Sequence, residues 1–195
     1  MLAEPTNVWD VTSDNRQIAR IRLPAETAPA QPHAWPPGPP DRSGPLAAAL
    51  NAKALQQLGA TAAPADRIEL TPANPGVDKR GYLDWYYPAN VDGRLDDYSS
   101  RFDGGKGYLI IGIYGPVNSQ HLVTCYISPY PDATPMYTIN PRDKPDDDPP
   151  LASLSLGPSG HLVFALQLSA AGWNGFALSS KGGFMFYGCD VTPIA

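Results

Sequence analysis

The sequence predicts a mainly β protein: an antiparallel β-sandwich, jelly-roll-like, preceded by a Pro-rich extended N-terminal arm and one short helix. Three observations carry this. The 195 residues include 23 prolines and 18 glycines, which interrupt any long helix and exclude a helical bundle. From Gly81 onward apolar residues recur with period two, in short runs bounded by Gly, Pro, Asn or Asp. The aromatic residues are concentrated in the same part: residues 1–80 hold 12 of the prolines but only Trp9 and Trp35 of the 19 aromatics. The material for a packed core therefore lies in 81–195, and the chain divides into an arm of 1–80 and a sandwich domain of 81–195. A mass of 20.9 kDa suits one core rather than two.

The arm begins with a hairpin pattern, 8–12 and 17–23, around the turn-forming Ser13-Asp14-Asn15. Residues 24–45 contain Pro36-Pro37-Gly38-Pro39-Pro40 and are predicted as an extended, largely polyproline II strap, because proline fixes φ and removes the backbone donor. Ser43 is placed to cap a helix over 45–58. That helix takes Pro45 in its first turn, carries Leu46, Leu50, Ala54 and Leu58 along one stripe, and stops at Gly59. A short strand over 67–70 leads into the turn-rich 71–76. Strands are then predicted at 82–87, 108–114, 121–128, 136–139, 152–156, 161–169, 173–179 and 183–191, a spacing that suggests an antiparallel sandwich or jelly roll. In 161–168, Leu162, Phe164, Leu166 and Leu168 share one face. In 108–114 both faces are apolar, so that strand is expected to be central, or covered by the helix or the arm.

Charge narrows the partners. A formal charge of -5 and a pI of about 5.0 provide no basic field, so neither nucleic acid nor an anionic membrane is expected. The first residues lack the charged and apolar pattern of a leader, and no apolar run reaches the length of a membrane span. The expectation is a soluble protein made in the cytoplasm without a signal peptide. Two cysteines and the absence of an Asn-X-Ser/Thr sequon do not suggest a disulfide-stapled, glycosylated domain.

The segment 84–106 is the most suggestive for binding. Trp85, Tyr86 and Tyr87 offer aromatic faces for the apolar faces of sugar rings, while Asp92, Arg94, Asp96, Asp97 and Arg101 can hydrogen-bond hydroxyls. These eight residues form the candidate site for a glycan or a protein partner. The commoner outcome for such a composition is half-buried strand aromatics beside a solvated loop. The acidic run 143–150 lacks the glycine and distal glutamate of a calcium loop and reads as a solvated connection. Gly104-Gly105-Lys106-Gly107 lacks the spacing of a phosphate loop and precedes a strand.

No catalytic signature stands out. His33, His121 and His161 are isolated, with neither a Gly-x-Ser-x-Gly elbow nor metal-ligand spacing. Cys125 and Cys189 fall inside apolar strands, where a reduced thiol acts as a small hydrophobe. The only glutamates, Glu4, Glu26 and Glu69, lie outside 81–195, so a glycosidase pair would have to be built from aspartates. No catalytic residue, metal or cofactor is assigned.

The leading expectation is a non-enzymatic structural or attachment protein of a larger assembly, such as the surface of a virion or phage-like particle (capsid decoration, fibre or tail). Its arm, through Trp35, Pro36, Pro37, Pro39 and Pro40, would dock on other protein subunits, a homo-oligomer being the default. The alternative is a carbohydrate-binding, lectin-like sandwich module. A hydrolase comes third and needs a pocket joining a histidine to Cys125 or to two aspartates.

Overall fold

The structure is a computed structural model that describes residues 11–13, 16–19, 40–86, 100–102, 108–129, 136–145, 149–156, 159–180 and 184–195; for 11–13, 16–19, 85–86 and 100–102 only the backbone is described. The described residues form two antiparallel sheets and one α-helix, a mainly β sandwich. In chain order the strands are β1 (Val11–Ser13), β2 (Arg16–Ala19), β3 (Ile68–Leu70), β4 (Gly76–Val77), β5 (Gly81–Tyr86), β6 (Ser100–Phe102) and β7 (Tyr108–Gly115). They continue with β8 (Gln120–Pro129), β9 (Met136–Pro141), β10 (Ala152–Ser155), β11 (His161–Gln167), β12 (Gly172–Ser180) and β13 (Phe184–Ile194), and the helix α1 spans Pro45–Leu58.

Sheet A runs β1-β2-β11-β8-β13, with both β3 and β6 along the far side of β13; sheet B runs β10-β9-β12-β7-β5-β4. From β7 to β13 the chain changes sheets repeatedly: β7 in B, β8 in A, β9 and β10 in B, β11 in A, β12 in B, β13 in A. Strands from before Gly81 enter both sheets. β2 pairs with β11 and β3 with β13 in sheet A, while β4 pairs with β5 in sheet B.

Alternation explains the core. Leu162, Phe164 and Leu166 of β11 face Leu109, Ile111 and Ile113 of β7 across one continuous apolar interior, which Val123, Cys125, Ile127, Phe176 and Leu178 complete. The alternation slips once, in β13. Phe184 and Phe186 point inward, and so do Cys189 and Val191, because the register against β8 shifts between Phe186 and Gly188. Gly188 takes φ 133° there, with the Leu70 carbonyl 2.5 Å from where a Cβ would stand, so a side chain is excluded at this bulge.

β7 is central, between β12 and β5, as its two apolar faces imply. The helix does not cover it. Leu50 and Ala54 pack with Leu122, Val163, Ala165 and Ile194 on the outer face of sheet A. The helix spans the expected 45–58, but Ser43 is not its cap. Gly44 is the N-cap, and the Asp41 carboxylate accepts the Ser43 and Gly44 backbone N–H groups at 3.0 and 2.9 Å, which organises the entry turn. Leu46, expected on the buried stripe, is 44% exposed, and Ala47 takes the contact instead.

A polar latch holds this entry segment on sheet A. Arg42 Nη2 donates to Asp190 Oδ1 at 2.8 Å and its guanidinium lies 4.8 Å from the Tyr126 ring centroid. Tyr126 donates its hydroxyl to the other Asp190 oxygen at 2.7 Å, and the His161 Nε2 meets the Asp41 carbonyl at 2.8 Å. In the second turn of the helix, Asn51 accepts a hydrogen bond from Thr124 at 2.7 Å.

Candidate functional site

The outer face of sheet B carries an open aromatic patch. Trp173 of β12 and Tyr114 of β7 are direct cross-strand partners, with ring centroids 5.3 Å apart at 72°. Both are about half exposed. Tyr82 of β5 meets the other side of Trp173 at 5.0 Å and 66°, so the indole stands between two tyrosines in edge-to-face contacts.

Two glycines make room for this arrangement. Gly112 pairs with Tyr82 on one side and with Gly175 on the other, which leaves a trough two strands wide in the outer surface. The Tyr82 ring lies over Gly112 and the aliphatic stem of Arg142 lies over Gly175. Arg142 then donates from Nη1 to the Tyr82 hydroxyl at 3.0 Å, and its other terminal nitrogen is 3.9 Å from Asp84. The backbone fixes Arg142 as well, through its N–H to the Gly175 carbonyl at 2.9 Å. The result is three aromatic rings and one carboxylate on the solvent face of strands, beside one guanidinium from the turn that follows β9.

Below one side of this patch, at the end where the β7–β8 turn crosses from sheet B to sheet A, the sheets part to leave a cleft of about 270 Å³. Ile68 and Val191 of sheet A and Ile113 of sheet B form its walls, with Asp66, Arg80, Tyr114, Ser119 and His121 also lining it. Ser119 Oγ donates to the Pro116 carbonyl at 2.7 Å and is 3.1 Å from His121 Nε2. Since the hydroxyl has one proton and the Pro116 carbonyl takes it, the histidine contact is made by an Nε2–H donor. Burial lowers the His121 pKa and keeps the ring neutral. Its Nδ1 has no hydrogen-bond partner among the described residues, so no described carboxylate orients the ring. What the pair leaves toward the cleft is the second lone pair of the Ser119 hydroxyl oxygen. The cleft joins His121 to Ser119 and Asp66, not to Cys125, which is wholly buried in the core.

The residues expected to bind are distributed differently. Trp85 and Tyr86 lie in β5, registered against Leu109 and Tyr108 of sheet B. Arg101 lies in β6, registered against Met185 of sheet A, so the backbone puts it in the other sheet. Tyr87, Asp92, Arg94, Asp96 and Asp97 lie outside the described residues, as do Trp35, Pro36, Pro37 and Pro39 of the strap. Pro40 is partly buried, against Gly160. Tyr114, Trp173 and Arg142 were not singled out from the sequence. The signal available was weak: aromatics at solvent-side positions of β7 and β12, each next to one glycine and two residues from another.

No group of three or more His, Cys, Asp or Glu side chains suited to a metal ion occurs among the described residues. No described helix is long and apolar enough to cross a membrane. No protein-family model matches the chain, and no curated protein matches it. The fold and patch define a class only: an antiparallel β-sandwich with an exposed aromatic platform.

Proposed function

We propose that the chain is a non-enzymatic attachment module that recognises carbohydrate through the outer face of sheet B. The observation that carries this reading is the half-exposed Trp173, held between Tyr82 and Tyr114, with Arg142 and Asp84 at the edge. Aromatic faces pack on the C–H faces of sugar rings, and a guanidinium and a carboxylate hydrogen-bond the hydroxyls at the ring rim. The aromatic groups are positioned by strand register and glycine contacts, and Arg142 by its bonds to Gly175 and Tyr82, so the platform is preorganised and little conformational entropy is lost on binding.

The strand order supports a jelly-roll reading of the sandwich. Four strands of sheet A (β3-β13-β8-β11) interleave in sequence with four of sheet B (β7-β12-β9-β10), the wiring of two nested Greek keys. Such sandwiches serve both as glycan-binding modules and as components of particle surfaces, an analogy of fold alone. The assembly side of the proposal rests on the N-terminal part. The β1–β2 hairpin extends sheet A at β11, and the segment entering α1 is latched over the same sheet, which leaves the aromatic face of sheet B on the opposite side of the sandwich.

The test is a glycan array followed by calorimetric titration of the best oligosaccharide. Saturable binding that Trp173→Ala weakens by tenfold or more, with the β-sheet spectrum unchanged, is the expected result. A flat response across the array removes the reading. Native mass measurement tests the assembly side: a protein that stays monomeric at high concentration and alone in its source would count against it.

A further inference from the structure

Tyr114 is shared: it is the cross-strand partner of Trp173 on the platform and also a wall of the cleft between the sheets. A ligand lying on the platform can therefore reach the cleft without leaving the protein surface. We propose that the cleft is a second subsite, continuous with the platform, that takes the acetamido group of a neutral N-acetylated amino sugar; the proposal rests on the carbohydrate reading above.

The chemistry of the cleft selects for that group. Ile68, Ile113 and Val191 are apolar walls, and a plain hexose would press hydroxyls against them with no hydrogen-bond partner, which is costly. An acetamido group replaces one such hydroxyl by a methyl, which suits those walls, and by an amide whose N–H and C=O need partners. In the same cleft the Ser119 hydroxyl oxygen keeps a second lone pair for the N–H, and the Arg80 guanidinium is a donor for the C=O. Asp66 and Arg80 add one negative and one positive charge, so the site has no net charge to favour an acidic sugar. The volume, about 270 Å³, is at the small end for ligand sites and suits one substituted ring, the remaining rings lying on the open platform.

The experiment compares the N-acetylglucosamine trimer chitotriose with its unsubstituted counterpart cellotriose on the full chain, by titration and by methyl NMR. One buried methyl and one further hydrogen bond correspond to about tenfold tighter binding of chitotriose. The Ile113 and Val191 methyl signals shift with chitotriose and stay in place with cellotriose. Ser119→Val reduces the preference to about twofold or less; the ligand comparison and the methyl shifts stand without it if that variant does not fold. Equal affinities with no methyl shift overturn the subsite and leave the platform reading intact. Binding to neither trimer nor to any glycan on the array overturns both.

Discussion

The Tyr82 ring lies across Gly112, so close that a Cβ at position 112 would stand 2.0 Å from the ring carbon Cε1. The ring cannot simply swing away, because Trp173 packs on it at 5.0 Å and Arg142 holds its hydroxyl. Gly112→Ala should therefore lower stability by about 1–3 kcal/mol in urea denaturation, the range for forcing a methyl into a filled space, and should abolish any binding that depends on the platform. At Gly175 the neighbour is the stem of Arg142, whose Cβ would stand 2.9 Å from the new methyl and whose backbone is bonded to Gly175, while its outer atoms can give way; Gly175→Ala should cost about 1 kcal/mol, less than Gly112→Ala. Equal effects at the two glycines would mean that the trough is not what positions Tyr82.

The latch around Asp190 is the second point of leverage. Asp190 is buried and accepts from Tyr126 and Arg42, with Arg67 at 3.6 Å. Burial, then the hydrogen bond and charge of Asp190, push the Tyr126 phenol well above its ordinary pKa. Tyr126→Phe removes a hydrogen bond to a charged acceptor and should cost about 1.5–3 kcal/mol. Arg42 is one-quarter exposed, so its coupling to Asp190 is screened, and a double-mutant cycle of Arg42→Met and Asp190→Asn should give only about 1–2 kcal/mol. A coupling near zero would show that the entry segment is held by α1 packing and the His161 and Thr124 hydrogen bonds without help from the ion pair.

Most of the fold was legible in the sequence because half-buried strands declare themselves by alternation. Leu162, Phe164 and Leu166 could be placed on one face before any pairing was known, and β7 could be read as central from its two apolar faces. β4 and β6, of two and three residues, are too short to show a period, and they fall in segments whose turn-forming and charged residues dominate the reading. The platform was illegible for a different reason. Tyr82, Tyr114 and Trp173 are spread over 91 positions, and only the register of β5 on β7 and of β7 on β12 brings them together. The glycines that shape it, Gly112 and Gly175, look in sequence like weak points of strands rather than like seats for a ring and a guanidinium.

His121 gives a pH signature. Burial lowers its folded-state pKa from the ordinary 6.5, so the unfolded chain binds a proton more readily than the folded one. Stability from this residue is complete above pH 6.5 and is lost as pH falls through the lowered folded value. The melting temperature should fall more steeply between about pH 7 and pH 5 in the wild type than in His121→Gln, which has no proton to gain. Parallel profiles would mean that His121 titrates equally in both states.

Tyr137 is fully buried against Phe184, with ring centroids 5.4 Å apart, and its hydroxyl has no partner among the described residues. The ring contributes packing, while the hydroxyl contributes only a desolvation cost. Tyr137→Phe should therefore raise stability by about 1 kcal/mol, against the usual direction of core substitutions. A loss of stability would reveal a hydrogen bond made by that hydroxyl in solution.

Cys125 and Cys189 face each other across β8 and β13, directly paired and wholly buried. Burial pushes the Cys125 thiol well above its ordinary pKa, and the neighbouring Cys189 and Asp190 push in the same direction, so the thiolate is suppressed at neutral pH. A thiol reagent such as Ellman's reagent should then react only through unfolding, at a rate that climbs with mild urea and reaches its maximum in concentrated guanidinium. The same reasoning ranks two substitutions. Cys125→Ala loses a small apolar volume, whereas Cys125→Ser keeps the volume and buries a hydroxyl among Leu, Ile and Phe side chains. Serine should be the more destabilising of the two by about 1 kcal/mol or more. The opposite order, or rapid labelling of the folded protein, would show that this pair is accessible and polar in its surroundings, and would reopen the question of its chemistry.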